Sequence, residues 1–163
     1  MIFKVKKHNS NLYNTLLFLS RNIFFYKNLK FEDSYETRIY LMFFHYSIIL
    51  FILKIRDKRP DQDNYDSLFF YIENNLREMG FGDVSVNKKM KDLNKIFYDI
   101  LIKLNTDMSG FNMSKKLSLK YFEKLHNNDN NWENFNKYFI KFYKFCFELP
   151  GNNMIKDVQN YRF

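Results

Sequence analysis

The sequence predicts an all-α fold: a single compact domain over residues 1–163, with about six helices packed around an apolar central helix and a core at about 11–149. Three observations carry that expectation. Apolar residues recur at three- and four-residue spacing along most of the chain, and no stretch alternates convincingly at period two. No repeat or long internal linker divides the chain. Hydrophobic residues make up 46% of the sequence and aromatics 20%, with 20 Phe and 12 Tyr, so large rings fill the interior.

A first helix is expected over Asn11–Tyr26, from the spacing of Leu12, Leu16, Leu19 and Ile23, with Arg21 and Lys27 near its C-terminal end. Asp33 and Glu36 stand at capping-box spacing, so a second helix starts at Ser34 and runs to about Lys54. Its middle is apolar nearly all round, the pattern of a helix covered by neighbours. The uncharged run Ile39–Leu53 holds His45, Tyr46 and Ser47 and is shorter than the roughly twenty residues a membrane span needs, so it reads as the buried centre. IRDKRPDQDN is the clearest loop.

The third helix runs from Pro60 or Asp63 to Met79, with Leu68, Phe69, Ile72 and Leu76 on its apolar side. Gly80 follows, where a left-handed residue closes a helix at little cost, and Gly82 adds a second flexible point. Asp83 or Ser85 caps a fourth helix striped by Val86, Met90, Leu93, Phe97, Ile100 and Leu104. Thr106–Ser114 reads as a loop. Leu117, Tyr121, Phe122 and Leu125 mark a short fifth helix that ends at the polar tract HNNDNN. A sixth covers Trp132–Leu149 and is stopped by Pro150 and Gly151, leaving a short C-terminal tail. At the other end Lys4, Lys6 and Lys7, with no acid before Glu32, form a basic leading segment that lacks the apolar core of a secretory signal.

No catalytic, metal or cofactor site is expected. His8, His45 and His126 are far apart and lack metal-ligand spacing. His45, inside an apolar helix, reads first as a hydrogen-bonded core residue. Cys146 is the only cysteine, so no internal disulfide forms; a reducing compartment fits, and its place in an aromatic helix favours packing over reactivity. The GFGD string at 80–83 lacks the Lys-Ser/Thr of a phosphate loop and follows a helix. Glu73, Glu78 and Asp83 have no nucleophile beside them and read as surface acids.

The net charge of +8 favours an anionic partner such as RNA, a ribosome or an acidic lipid surface. Because the chain has no alanine and is rich in Lys, Asn, Phe, Tyr and Ile, part of that excess reads as compositional drift. In NFNKYFIKFYKFCF, Lys137, Lys141 and Lys144 interleave with rings, a pattern that serves base stacking or, with Phe135, Phe139, Phe142 and Phe145 turned inward, a core helix; the core reading is preferred.

From Tyr65 onward, YDSLFFYIENNLREMGFGDVSVNKKMKDLNKIFYDIL resembles the central signature of the ubiquinol-cytochrome c chaperone family. Asn75, Leu76, Arg77, Glu78, Met79, Gly80, Gly82 and Asp83 match its NLREMGxGD segment, Lys88, Lys89 and Met90 continue it, and Phe97 with Tyr98 supplies its FY pair. ETRIYLMFFHYSIIL is similar to the family's arginine-led helix with an embedded histidine, at Arg38 and His45, and LLFLSRNIFFYKNL resembles its first helix, with Arg21 and Tyr26. The resemblance covers roughly Leu12 to Leu149 and thins after Leu104; Tyr46 and Ser47 depart from it, since many relatives carry a tryptophan after the histidine.

The resemblance implies a non-enzymatic helical chaperone for assembly of the cytochrome bc1 complex (respiratory complex III). Its client would be newly made cytochrome b or another bc1 subunit, and its further partners a small co-chaperone, the ribosome or an anionic membrane surface. It implies no cofactor, no specific DNA and no small-molecule substrate. The absence of a clear transit peptide fits a bacterial relative, cytoplasmic or peripheral at the inner face of the cytoplasmic membrane; a eukaryotic one would sit on the matrix side. On this footing Arg77, Glu78, Asp83, Lys88 and Lys89 form the candidate interaction surface, and Arg38, His45, Met79, Gly80, Gly82, Phe97 and Tyr98 are structural motif positions. A basic helical RNA- or ribosome-binding module without a cytochrome client is the open alternative.

Overall fold

The computed structural model describes residues 11–104, 106–107, 110–151 and 153–163; Lys4, Lys6, Lys7 and His8 of the basic leading segment lie outside them. Its α-helices are α1 (Asn11–Ser20), α2 (Tyr35–Ile55), α3 (Gln62–Glu78), α4 (Asp83–Ile102), α5 (Lys115–Tyr121), α6 (Asp129–Glu148) and α7 (Met154–Asp157). A π-helical turn (Phe24–Asn28) follows α1, and 3-10 turns follow α5 (Glu123–Asn127) and α7 (Val158–Asn160). The architecture is all-α. The expected loop at Thr106–Ser114 contains a minimal hairpin in which β1 (Thr106–Asp107) pairs antiparallel with β2 (Gly110–Phe111).

α2 is the centre because its neighbours leave none of its middle to solvent. α1, α4 and α6 pack against it, and every residue from Leu41 to Ile49 is buried. By length and composition α2 could cross a membrane, but here those faces meet protein. Rings fill the gaps: Phe44 touches Phe122, Phe135 and Phe139, while Phe43 and Tyr46 meet Phe97 of α4. The α2 cap lies one residue past the expected one. Ser34, in extended conformation, accepts the Thr37 N–H on its Oγ at 3.2 Å, and Asp33 instead pairs with Arg38 at 3.5 Å. Ser34 and Thr37 offer the same three-residue spacing as Asp33 and Glu36, and the backbone at Ser34 decides between them.

Other boundaries move for local reasons. The first helix does not continue to Tyr26. Ser20 Oγ donates to the Leu17 carbonyl at 2.8 Å, Asn22 Oδ1 accepts the Phe24 N–H at 3.0 Å, and Tyr26 donates to the Ser20 carbonyl at 2.6 Å. These side chains take over backbone partners and break the helix into α1 and the π turn. The fifth helix breaks at Phe122, whose φ of −129° and ψ of 87° are not helical. α6 begins inside the polar tract, where Asn128 Oδ1 accepts the Asn130 N–H at 2.9 Å.

The buried set also extends past Leu149. Met154, Val158 and Tyr161 are buried, α7 and its 3-10 turn pack on α1, and the Tyr161 hydroxyl donates to the Tyr138 carbonyl at 3.2 Å. The stretch expected to be a tail is therefore part of the core.

Candidate functional site

The family-like segment forms a corner between α3 and α4. Gly80, at φ +95°, donates its N–H to the Arg77 carbonyl at 3.0 Å, and the Phe81 N–H reaches the Leu76 carbonyl at 3.3 Å. This pair of bonds is a Schellman closure, which needs a left-handed residue at the Gly80 position. Neither Asp83 nor Ser85 caps α4. Gly82 is the cap residue, without a side-chain bond, and Asp83 is the first helical residue. Asp83 is held instead by Arg77, which also pairs with Glu73 at 3.0 Å, so one guanidinium ties the end of α3 to the start of α4. Lys89 sits 4.6 Å above the Phe81 ring, and Lys88 is exposed. Among these charges project two apolar tips, Met79 at 54% exposure and Val84 at 85%.

Beside the corner, a groove of about 330 Å³ opens between α1, α2 and α3. Leu17, Ile39 and Met42 line its floor, with Arg21, Arg38 and Glu78 among the charged residues around it. Asn75 donates to the Tyr13 hydroxyl and Tyr35 donates to the Ile72 carbonyl at 3.1 Å, bonds that fix α1 and α2 against α3. The predicted surface residues thus divide: Arg77, Asp83 and Lys89 belong to the corner, Lys88 follows on α4, and Glu78 faces the groove with Met79. Val84 was missed by sequence reasoning, because it falls off the apolar stripe that begins at Val86, and a lone apolar residue off the stripe gives no periodic signal. The groove was missed because its walls come from three separated segments, although Arg21 and Arg38 had been singled out individually.

The remaining motif positions are structural in different ways. Phe97 is fully buried, whereas its neighbour Tyr98 is half exposed. His45 is fully buried at the α2–α6 contact, with Phe139 and Phe142 ring centroids at 5.0 and 4.8 Å. Its Nδ1 lies 2.6 Å from the Leu41 carbonyl and its Nε2 lies 2.8 Å from the Tyr138 hydroxyl. A carbonyl only accepts, so Nδ1 carries the proton and Nε2 receives the tyrosine O–H. Burial lowers the His45 pKa to about 4 and outweighs the Leu41 bond, which acts the other way. The ring is neutral at pH 7, and both nitrogens are occupied.

Burial pushes the Cys146 thiol well up, which leaves it protonated and unreactive. Ser47 Oγ is buried without a hydrogen-bond partner among the described residues. No group of three or more His, Cys, Asp or Glu side chains among the described residues could hold a metal ion.

The arrangement defines a class, an all-helical protein that presents at this end of α2 an apolar-tipped charged corner and a shallow groove. A family model described as ubiquinol-cytochrome C chaperone matches residues 27–120, more than half of the chain, and the protein belongs to that family. The match spans α2, α3, the corner and α4 and ends in α5, leaving α1 and α6 outside. Neither a curated protein nor a solved structure matches the chain.

Proposed function

We propose that this protein is an assembly chaperone for the cytochrome bc1 complex and holds newly made cytochrome b, or another bc1 subunit, at the α3–α4 corner and the adjoining groove. One observation carries the placement: Met79 and Val84 project into solvent from a turn that a Schellman closure and Arg77 hold in one geometry. An unassembled membrane subunit exposes apolar surface, and a small apolar patch rimmed by charge binds such a surface while still allowing release. A small co-chaperone or the ribosome would act beside this site, at the inner face of the energy-transducing membrane.

The RNA-binding alternative draws on the basic charge and on the rings of α6. Phe135, Tyr138, Phe139 and Phe142 are buried, however, which takes four of that segment's rings away from any base and leaves Phe147 as its one ring classed as exposed among the described residues. The test is deletion of the gene in its native host or a related respiring bacterium, followed by complementation with wild type or with Met79→Ser combined with Val84→Ser. The proposal expects haem-b absorbance of the bc1 complex to be lost on deletion, restored by wild type and restored poorly by the double variant, with the variant's thermal midpoint unchanged. Normal cytochrome b in the deletion strain would sink the assembly function. Full rescue by the double variant would move the client elsewhere on the molecule.

A further inference from the structure

A second and larger cleft, of about 760 Å³, lies at the opposite end of α2. Leu50, Phe51 and Leu101 line it together with the cations Lys54, Lys58 and Arg59. The end of α2 builds this rim with a second Schellman closure: the Asp57 N–H reaches the Lys54 carbonyl at 3.1 Å and the Lys58 N–H reaches the Leu53 carbonyl at 2.9 Å. Asp57 takes the left-handed position, at φ +53°, and its carboxylate is the acidic member of the rim. The rim is anchored from behind. Arg56 donates to the carbonyls of Leu149, at 2.7 Å, and of Phe147, joining the ends of α2 and α6, while the Lys58 ammonium lies against the backbone of Gly151.

Two features distinguish this end from an ordinary solvated surface. Among the described residues neither Lys54 nor Arg59 forms an ion pair. Beside them, Ile102 is 74% exposed on the cleft edge and Ile55 is 50% exposed on the last turn of α2. Both α2 and α4 direct their carbonyl ends here, so attraction for an anion comes from the side chains and works against the helix dipoles.

We propose that this end docks on a bilayer containing anionic phospholipid, with Ile102 and Ile55 entering the boundary between headgroups and acyl chains and Lys54 and Arg59 meeting lipid phosphates. Aliphatic tips interleaved with unpaired cations match a partner that is anionic and apolar within a few ångströms of depth, which is the structure of such a bilayer surface. A free phosphate would satisfy the cations and leave the isoleucines in water. The inference uses neither the corner nor the client and holds or fails apart from the chaperone reading.

Co-sedimentation of the full chain with phosphatidylcholine vesicles, with and without phosphatidylglycerol, tests it. The wild type is expected to bind only the phosphatidylglycerol vesicles. Lys54→Gln with Arg59→Gln should weaken partitioning roughly thirtyfold, at about fivefold per cation near an anionic surface. Ile102→Ser with Ile55→Ser should weaken it as well, whereas Lys91→Gln with Lys95→Gln, an equal charge change on the exposed side of α4, should leave most of it. Equal losses in the two lysine and arginine pairs would show diffuse attraction by the net charge and overturn the site. Unchanged binding in the isoleucine pair, with full competition by inorganic phosphate, would assign the cations to a free anion and overturn the bilayer. Binding to neither vesicle would overturn the proposal outright.

Discussion

At the Arg38 end of α2, charged side chains are tied to one another: Arg38 to Asp33, and Arg77 to Glu73 and Asp83. At the Lys54 end, about 24 Å away at 1.5 Å of rise per residue, Lys54 and Arg59 have no such partner among the described residues. Where charges neutralise each other, exposed apolar tips such as Val84 are left to bind, which suits a protein client. Where cations stand alone beside isoleucines, an anionic and apolar surface is the better complement. The turns differ in the same sense. Both helix ends close with the same two hydrogen bonds, but α3 places Gly80 in the left-handed position and α2 places Asp57 there.

The comparison requires α2 to act as a rigid strut between its ends, and His45 at its middle supplies the largest test. Its folded pKa of about 4 lies below the ordinary histidine value near 6.5, so the unfolded chain takes up a proton first as pH falls. The stability due to the neutral ring is fully present above pH 6.5 and is lost progressively down to about pH 4, amounting to about 3 kcal/mol. Denaturant titrations across that range should show the loss, and His45→Leu should flatten that part of the profile. A profile unaltered by the substitution would mean that the ring is already accessible. Next in size, Gly80→Val forces a β-branched residue to φ +95° and should cost about 2 kcal/mol in urea unfolding.

The reverse change at the other turn should have the opposite sign. Asp57→Gly relieves a left-handed non-glycine residue and should gain about 0.5–1 kcal/mol; a loss would show that the aspartate side chain stabilises its turn. Smallest of all, Arg77→Ala with Lys88→Ala should leave the urea midpoint nearly unchanged, since both residues are exposed and solvent screens their pairs, while weakening client capture in a pull-down of bc1 subunits. Undiminished capture would confine the client contact to the apolar tips.

Much of this frame was legible in the sequence because it rests on period and punctuation. The stripe of Val86, Leu93, Phe97 and Ile100 and the stop at Gly80 follow from spacing and from backbone freedom alone. The α2 cap was not legible, since two overlapping cap patterns compete and only the backbone at Ser34 chooses. The packing of Met154, Val158 and Tyr161 was hidden because a four-residue helix such as α7 has little stability without the α1 face that receives it. At the candidate site the motif residues were visible one by one. What spacing does not carry is that Glu78 lines the same groove as Arg21 and Arg38 while its neighbour Arg77 pairs with Asp83, because helical neighbours point about 100° apart and the groove wall comes from another segment.

The most direct test of the client site is photo-crosslinking from residue 84. With a photoreactive amino acid replacing Val84 in cells making the bc1 complex, the account predicts a crosslink to cytochrome b or another bc1 subunit, present while the subunit is new and absent once the complex is complete. No bc1 subunit captured from residue 84, with strong capture from a photoreactive residue placed at 91 on α4, would contradict it.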